Sequence, residues 1–230
     1  GATPSLPLTP KRALESTFPA AHHRSPMPVA DEIEPVVPGV LIWRSYDRSV
    51  KADLFSTGLE VGGRTYLIDP IDLAPDAMAD LESRRPIAGI MVTNENHERA
   101  AARFADKFRV PIHLHSSLAK ATSLPGAEPI RDRDVLDHEL TIIAIDGGPA
   151  GEIAVHSKAN GGTMVVGDAL INVEPYGFAI LPSKYCSNVK TLRRSLATLL
   201  DYSFERMLFA HGTPILSGAR QRLEDLLVRR

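Results

Sequence analysis

The chain has 230 residues, a formal net charge of −2 and a hydrophobic content of 43%. This is enough for one substantial core and predicts a single larger α/β domain. Lysine and arginine are spread along the chain without a basic stripe, so binding to nucleic acid is not expected. Cys186 is the only cysteine, which excludes an intramolecular disulfide framework and a cysteine-rich zinc site.

Hydropathy gives no sign of a membrane segment or a signal peptide. No apolar stretch approaches the roughly 18 residues that span a bilayer, so no membrane association is expected. A reduced, cytoplasmic setting is the default expectation. Gly1 stands where an initiator methionine would be, and a native start upstream of it is therefore one expectation.

Residues 1–38 differ in composition from the rest of the chain. They hold eight of its 18 prolines and show no sustained hydrophobic period. This predicts an irregular N-terminal arm that wraps the surface or is partly disordered, followed by one domain over residues 39–230. His22 and His23 lie in this arm, where a solvated pair is favoured over a metal-binding pair.

From Val40 onward, short apolar runs alternate with polar turns. Two strands are predicted over 39–46 and 53–61, and a hairpin turn at Gly62–Gly63 leads into a buried strand. The later pattern predicts helices at 76–83, 97–108, 188–202 and 218–230, and strands at 87–92, 109–115, 139–146, 152–157, 162–168 and 206–210. This order favours two sheets covered by outer helices.

Five apolar runs lead to an acid, an amide or a histidine. The polar groups that follow these runs are Asp69, the segment 94–99, Glu152, Asp168 and His211. If these ends converge, they form one polar site at one edge of the sheets. The segment 94–99 stands out because six polar or charged residues directly follow a buried strand and Thr93. Asn94 as the N-cap of the next helix is the simpler alternative.

The order of elements over residues 40–230 resembles the metallo-β-lactamase superfamily. In that family a buried strand is followed by T-H-x-H-x-D-H, and here the matching stretch is Thr93-Asn94-Glu95-Asn96-His97-Glu98-Arg99. Later G-H, G-D and G-H-G steps correspond to Gly151-Glu152, Gly167-Asp168 and Ala210-His211-Gly212. The resemblance implies an αββα sandwich, with two mixed β-sheets face to face and helices outside, and a metal-dependent hydrolase.

The metal ligands of the family are only partly present. Asn94, Asn96, Arg99 and Glu152 stand where the family has histidines, and Glu98 stands where it has an aspartate. Asp168 and His211 keep the ligand types of the family. Zinc prefers imidazole and thiolate ligands, whereas an oxygen-rich set suits a harder cation. A guanidinium has no lone pair to donate, so Arg99 cannot bind a metal ion.

Two functions remain open at this point. The first is a hydrolase with an altered or mononuclear metal site, whose candidate ligands are Glu98, Glu152, Asp168 and His211. The second is an inactive relict fold that binds a small ligand or acts as a scaffold. In this second case Arg99 replaces the charge of the metal through an ion pair with Asp168 or Glu98. The expected cofactor is one divalent cation (zinc, manganese or magnesium) or none, and the expected partner is a small-molecule substrate or ligand.

The remaining side chains expected to line the site come from the resemblance. Asp69 corresponds to a buried structural acid of the family, and the loop residues Lys184 and Tyr185 fall where relatives place substrate-binding groups. Asn94, Asn96 and Arg99 complete this set. His97 falls at a position that the family does not use for metal, and we expect it to be exposed.

Overall fold

A computed structural model of the chain describes residues 27–228, so His22 and His23 lie outside the described residues. Its strands are β1 (Val29–Ala30), β2 (Glu34–Val37), β3 (Val40–Asp47), β4 (Ala52–Val61), β5 (Arg64–Ile68), β6 (Asp72–Leu73), β7 (Ile87–Val92), β8 (Ile112–His115), β9 (Ala127–Ile130), β10 (Val135–Leu136), β11 (Leu140–Ala144), β12 (Ile153–Ser157), β13 (Thr163–Val166), β14 (Leu170–Val173), β15 (Gly177–Ile180) and β16 (Arg206–Phe209). Its α-helices are α1 (Pro75–Ser83), α2 (Ala101–Phe108), α3 (Val189–Ala197) and α4 (Ala219–Val228).

Two mixed sheets form the centre of the fold. The larger has seven strands in the order β2-β3-β4-β5-β7-β8-β9, and the smaller has five in the order β10-β11-β12-β13-β16. Hairpins make the antiparallel pairs, while the helical connections make the parallel pairs β5–β7 and β13–β16. Two further pairs, β1–β6 and β14–β15, lie outside these sheets.

Three apolar layers hold the sheets and helices together. Between the sheets, Ile68 and Met91 of the larger sheet belong to one cluster with Val155 of the smaller. Phe104 of α2 packs on the outer face of the larger sheet, and Leu192 of α3 on the outer face of the smaller. Each helix therefore buries one apolar stripe against a sheet, which confirms the predicted αββα sandwich.

The strand ends do converge, as the sequence pattern predicted. Parallel strands β5 and β7 end next to each other, and so do β13 and β16 of the other sheet. Strand β12 is antiparallel to β13, so Glu152 before its start lies at the same edge. A backbone hydrogen bond of 2.8 Å from Ile153 N to Thr93 O joins the two sheets there.

The observed elements differ from the predicted ones in several places, among them the short strands β1, β6, β9 and β10, which were not predicted. Residues 34–37 of the predicted arm form β2, an edge strand of the larger sheet. Helix α2 begins at Ala101 rather than at residue 97, because Arg99 has a φ of 39° that an α-helix does not allow. The hairpin of β14 and β15 was not predicted. Among the described residues, no helix has both the length and the apolar character needed to cross a membrane.

Candidate metal centre

His97 lies at the centre of the polar site and is only 3% exposed, so the prediction that it is exposed was wrong. Its Nδ1 lies 2.9 Å from Oδ2 of Asp69, and its Nε2 lies 3.2 Å from Oδ1 of Asp168. A carboxylate only accepts hydrogen bonds, so Nδ1 carries a hydrogen and donates it to Asp69. The Nε2 atom is thereby directed at Asp168.

His211 completes a cluster with these two residues. Its Nε2 lies 3.4 Å from the same Oδ1 of Asp168, and the two imidazole rings are 5.6 Å apart between centroids. One nitrogen or oxygen atom from each of His97, Asp168 and His211 lies within 4.8 Å of the others. The structure thus brings together two of the predicted ligands and one histidine that was not predicted as a ligand.

The two histidines of the cluster have opposite pKa shifts. Burial alone would lower the pKa of His97, but the carboxylates of Asp168 and Asp69 raise it to about 9. Burial and the charge of His97 lower the pKa of His211 to about 4. Burial opposes ionisation of Asp168 as well, yet the two histidines and Arg99 keep its pKa well below the ordinary range. Without a metal, His97 is therefore cationic at neutral pH and His211 is neutral.

Asn94 fills the position where the family has its first histidine. Its Nδ2 donates to Oε2 of Glu152 over 2.7 Å and to Oδ2 of Asp168 over 3.2 Å. Its only potential ligand atom, Oδ1, accepts a hydrogen bond from the backbone N of Asn96. Asn94 is not a helix N-cap either, because Ala100 holds that position for α2.

Glu152 is buried beside Asn94 and also accepts a hydrogen bond of 3.0 Å from the backbone N of Ala169. Burial, followed by the charge of Asp168, raises the pKa of Glu152 to about 8. At neutral pH this carboxyl group therefore holds a proton. A protonated carboxyl is a poor metal ligand, and the amide of Asn94 already occupies its other oxygen.

Arg99 does not form the predicted ion pair. Its guanidinium donates to three backbone carbonyl oxygens, those of Phe55 (2.6 Å), Asp69 (2.9 Å) and Ala210 (3.4 Å). Within residues 27–228, no carboxylate oxygen lies within 4.0 Å of its nitrogens. The cation that contacts Asp168 is His97 instead.

Two predicted site residues lie outside the cluster. The side chain of Glu98 turns toward Thr122, whose Oγ1 donates to Oε1 of Glu98 over 2.7 Å. Asn96 is exposed, and its backbone N rather than its side chain contacts Asn94. The loop 94–99 therefore contributes His97 and Asn94 to the cluster, and neither Glu98 nor the Asn96 side chain.

An open cleft of about 560 Å³ lies beside Glu152, and His97, Asp168 and His211 are not among its lining residues. Its walls include Lys184, Tyr185, Cys186 and Glu152. The ammonium of Lys184 lies 4.6 Å from the ring centroid of Tyr185. Burial raises the pKa of the Cys186 thiol, and its Sγ donates to the carbonyl oxygen of Leu181, so it lacks the thiolate character of a nucleophile.

The cluster of His97, Asp168 and His211 could hold one divalent cation. Ligands bound at about 2.0–2.1 Å in a tetrahedron lie roughly 3.3 Å apart, close to the 3.2 and 3.4 Å that separate Asp168 from the two histidines. A metal-binding imidazole usually donates its other N–H to a carboxylate, and His97 does so to Asp69. Asn94 and Glu152, which stand at two further ligand positions of the family, are hydrogen-bonded to each other.

His97 was missed because the alignment of the loop with the family motif placed it between two ligand positions. The sequence feature that could have identified His97 is its distance from the strand end. A histidine four residues after Thr93 can fold back over the loop. In the structure its Nδ1 lies 2.9 Å from Oγ1 of Thr93, which itself donates to Asp69.

Comparisons with known proteins agree with this fold. A sequence model of the metallo-β-lactamase superfamily matches residues 36–229. A search of curated proteins found no match. Among solved structures, the DIM-1 metallo-β-lactamase exposed to ceftazidime superposes with a TM-score of 0.69 at 13% identity, over 88% of this chain and 98% of its own.

Two further solved structures are similar. A metallo-β-lactamase family protein from Thermus thermophilus has a TM-score of 0.60 at 20% identity, over 84% of this chain and 79% of its own. A β-lactamase domain protein from Burkholderia ambifaria has a TM-score of 0.61 at 18% identity, over 87% of this chain and 76% of its own. Identities this low show a shared fold and carry no substrate with them.

Proposed function

This chain belongs to the metallo-β-lactamase superfamily, and on that premise we propose that it is a hydrolase with a single divalent cation held by His97, Asp168 and His211. The observation that carries the proposal is the pair of imidazole Nε2 atoms facing one carboxylate oxygen at 3.2 and 3.4 Å. A bound divalent cation supplies Lewis-acid polarisation of a substrate oxygen and lowers the pKa of bound water.

The residues around that cation have different roles. Asp69 orients the imidazole of His97 through Nδ1, and the neutral imidazole of His211 has a free lone pair. His97 must release its proton before it can bind the ion. The cleft lined by Glu152 and Lys184 is large enough for a small molecule and lies next to the cluster on the Glu152 side. Two nitrogen ligands and one oxygen ligand favour zinc or manganese over magnesium.

Metal content and thermal stability test this proposal. Protein purified without chelator should contain about one zinc or manganese ion per chain, and added metal should raise the unfolding midpoint. His211→Ala and Asp168→Asn should lose the ion, whereas His138→Ala, which changes an exposed histidine, should keep it. The metal-loaded protein is then assayed on esters, lactones and a cephalosporin such as ceftazidime. Absence of bound metal, with no midpoint shift for any divalent cation, would refute the proposal.

A specific observation favours the inactive alternative. Protonated His97 lies between Asp69 and Asp168 and compensates both carboxylates without any metal ion. In that case the charge of the lost metal comes from His97, and the cleft would bind a small ligand without turnover. The metal analysis separates the two functions, because this alternative predicts the same unfolding midpoint with and without divalent cations.

A further inference from the structure

Arg99 links three strand ends at the site edge. Its Nη1 donates to the carbonyl oxygens of Phe55 in β4 and of Asp69 after β5, and its Nη2 donates to that of Ala210 after β16. The first two strands belong to the larger sheet and the third belongs to the smaller. A single planar guanidinium therefore holds parts of both sheets in a fixed relation.

These three strand ends carry the groups that shape the cluster. Asp69 accepts the hydrogen bond from His97, and Ala210 directly precedes His211. The backbone N of Phe55 also donates to the carbonyl oxygen of Ala210 over 2.9 Å, and Leu54 forms a β-bridge with His211. A shift of any of these carbonyl groups would move His97, through Asp69, or His211 itself.

The charge of Arg99 acts on Asp69 and Asp168 through space and not through an ion pair. Within the described part of the chain, the hydrogen bonds of its guanidinium go to backbone carbonyl oxygens, and a positive charge close to a cation site repels the cation. Removing that charge alone would strengthen metal binding. Its directional hydrogen bonds have the opposite consequence, because they keep the ligand-bearing strand ends in place.

We infer that Arg99 is a positioning residue, which fixes the strand ends of Asp69 and His211 so that His97, Asp168 and His211 face one point. The inference rests on the proposed function where it is measured through metal binding. It assigns a role to the residue that stands where the family has a histidine ligand. The role is geometric. Lysine should not replace Arg99, because its single ammonium group lacks the fixed, planar set of donors of a guanidinium.

Zinc affinity of Arg99→Met and Arg99→Lys, measured by competition with a chromophoric chelator, tests the inference. Both variants should bind zinc at least tenfold more weakly than the parent. Arg103→Met is the control, because Arg103 is exposed on the neighbouring helix and pairs with Asp72 away from the cluster. Tighter binding by Arg99→Met, or parental binding by Arg99→Lys, would overturn the inference in favour of a charge effect.

A second measurement separates failure of this inference from failure of the proposed function. If the parent protein binds no divalent cation, the hydrolase proposal fails, and positioning is read from amide hydrogen exchange of the metal-free protein. Exchange at the amides of Phe55 and Thr93, which bond to Ala210 and Asp69, should be at least tenfold faster in Arg99→Lys and unchanged in Arg103→Met. Unchanged exchange in Arg99→Lys would show that the strand ends keep their positions without Arg99.

Discussion

At the scale of single residues, the site is defined by which atom each side chain turns toward its neighbours. Asn94 directs its amide nitrogen at Glu152 and Asp168, so it acts as a hydrogen-bond donor where a histidine would act as a metal ligand. His97 has its two nitrogens between two carboxylates. The buried acids are thus satisfied by one amide and one imidazole, together with hydrogen bonds from Thr93 and the backbone N of Ala169.

Asp69 offers the sharpest residue-scale prediction. Its carboxylate accepts from the backbone N and Oγ1 of Thr93 and from Nδ1 of His97. Asp69→Asn should weaken metal binding about 10- to 100-fold. It should also destabilise the metal-free protein by about 2 kcal/mol, because a charged acceptor of three hydrogen bonds is lost. The φ of 49° at this position is one that asparagine tolerates, so the backbone is unaffected.

Chelator competition and urea unfolding measure these two effects. Asp106→Asn is the matched control, since it removes the same charge from an exposed position on α2 and should change neither quantity. Parental zinc affinity in Asp69→Asn would mean that His97 is held in place without its carboxylate partner.

At the scale of elements, the turn after β16 contacts the larger sheet at the site, through the β-bridge between His211 and Leu54. Gly212 follows His211 with a φ of 104°, and a Cβ there would lie 2.2 Å from the carbonyl oxygen of Asn172 in β14. The backbone N of Thr213 also donates to that oxygen. The loop that carries His211 therefore lies directly against the β14–β15 hairpin, and only glycine fits at this approach.

Gly212→Ala tests this close approach. It should destabilise the protein by roughly 3 kcal/mol or more, because the added methyl group meets backbone rather than a flexible side chain. Gly126→Ala is the control, since Gly126 also has a positive φ but open space around it, and it should cost only about 1–2 kcal/mol. Urea unfolding curves give both values, and equal costs would contradict the close approach.

At the scale of the whole molecule, two histidines of the described residues are buried in the sandwich away from the cluster. Burial lowers the pKa of His113 in β8, with nearby Glu128 opposing the shift. Burial also lowers the pKa of His156 in β12, with its bond to Ser203 O opposing it. Both side chains are neutral in the folded protein at pH values where the unfolded chain begins to take up protons.

The sign of the resulting pH dependence follows from proton uptake. As pH falls below the ordinary histidine value of about 6.5, the unfolded state binds protons at these positions before the folded state does, so stability decreases. Each histidine contributes at most about 1.4 kcal/mol per pH unit. His113→Gln and His156→Gln should each reduce the loss of stability between pH 7 and pH 5.

Urea unfolding at both pH values checks this, with His138→Gln as the control at an exposed histidine. A loss of stability that is the same in all three variants and the parent would show that the acid sensitivity arises elsewhere in the molecule.

The amino-acid sequence by itself determined the layers of the fold and the convergence of polar strand ends. Apolar runs such as 87–92 and the leucine stripe of α3 are local patterns, and local periodicity is enough to assign them. The sequence also indicated that the usual two-metal ligand set is incomplete, because residue types are read directly. It placed Asp168 and His211 in the site, and the structure brings these two together.

Only the tertiary structure decided which polar side chains face one another. His97 and Arg99 are two residues apart in one loop, yet the first points at two carboxylates and the second at three carbonyl oxygens. That choice depends on the positive φ at Arg99 and on strands distant in sequence, so no local pattern contains it. The sequence predicted Arg99 as the cation that pairs with Asp168 or Glu98, whereas the packing of the two sheets places His97 against Asp168.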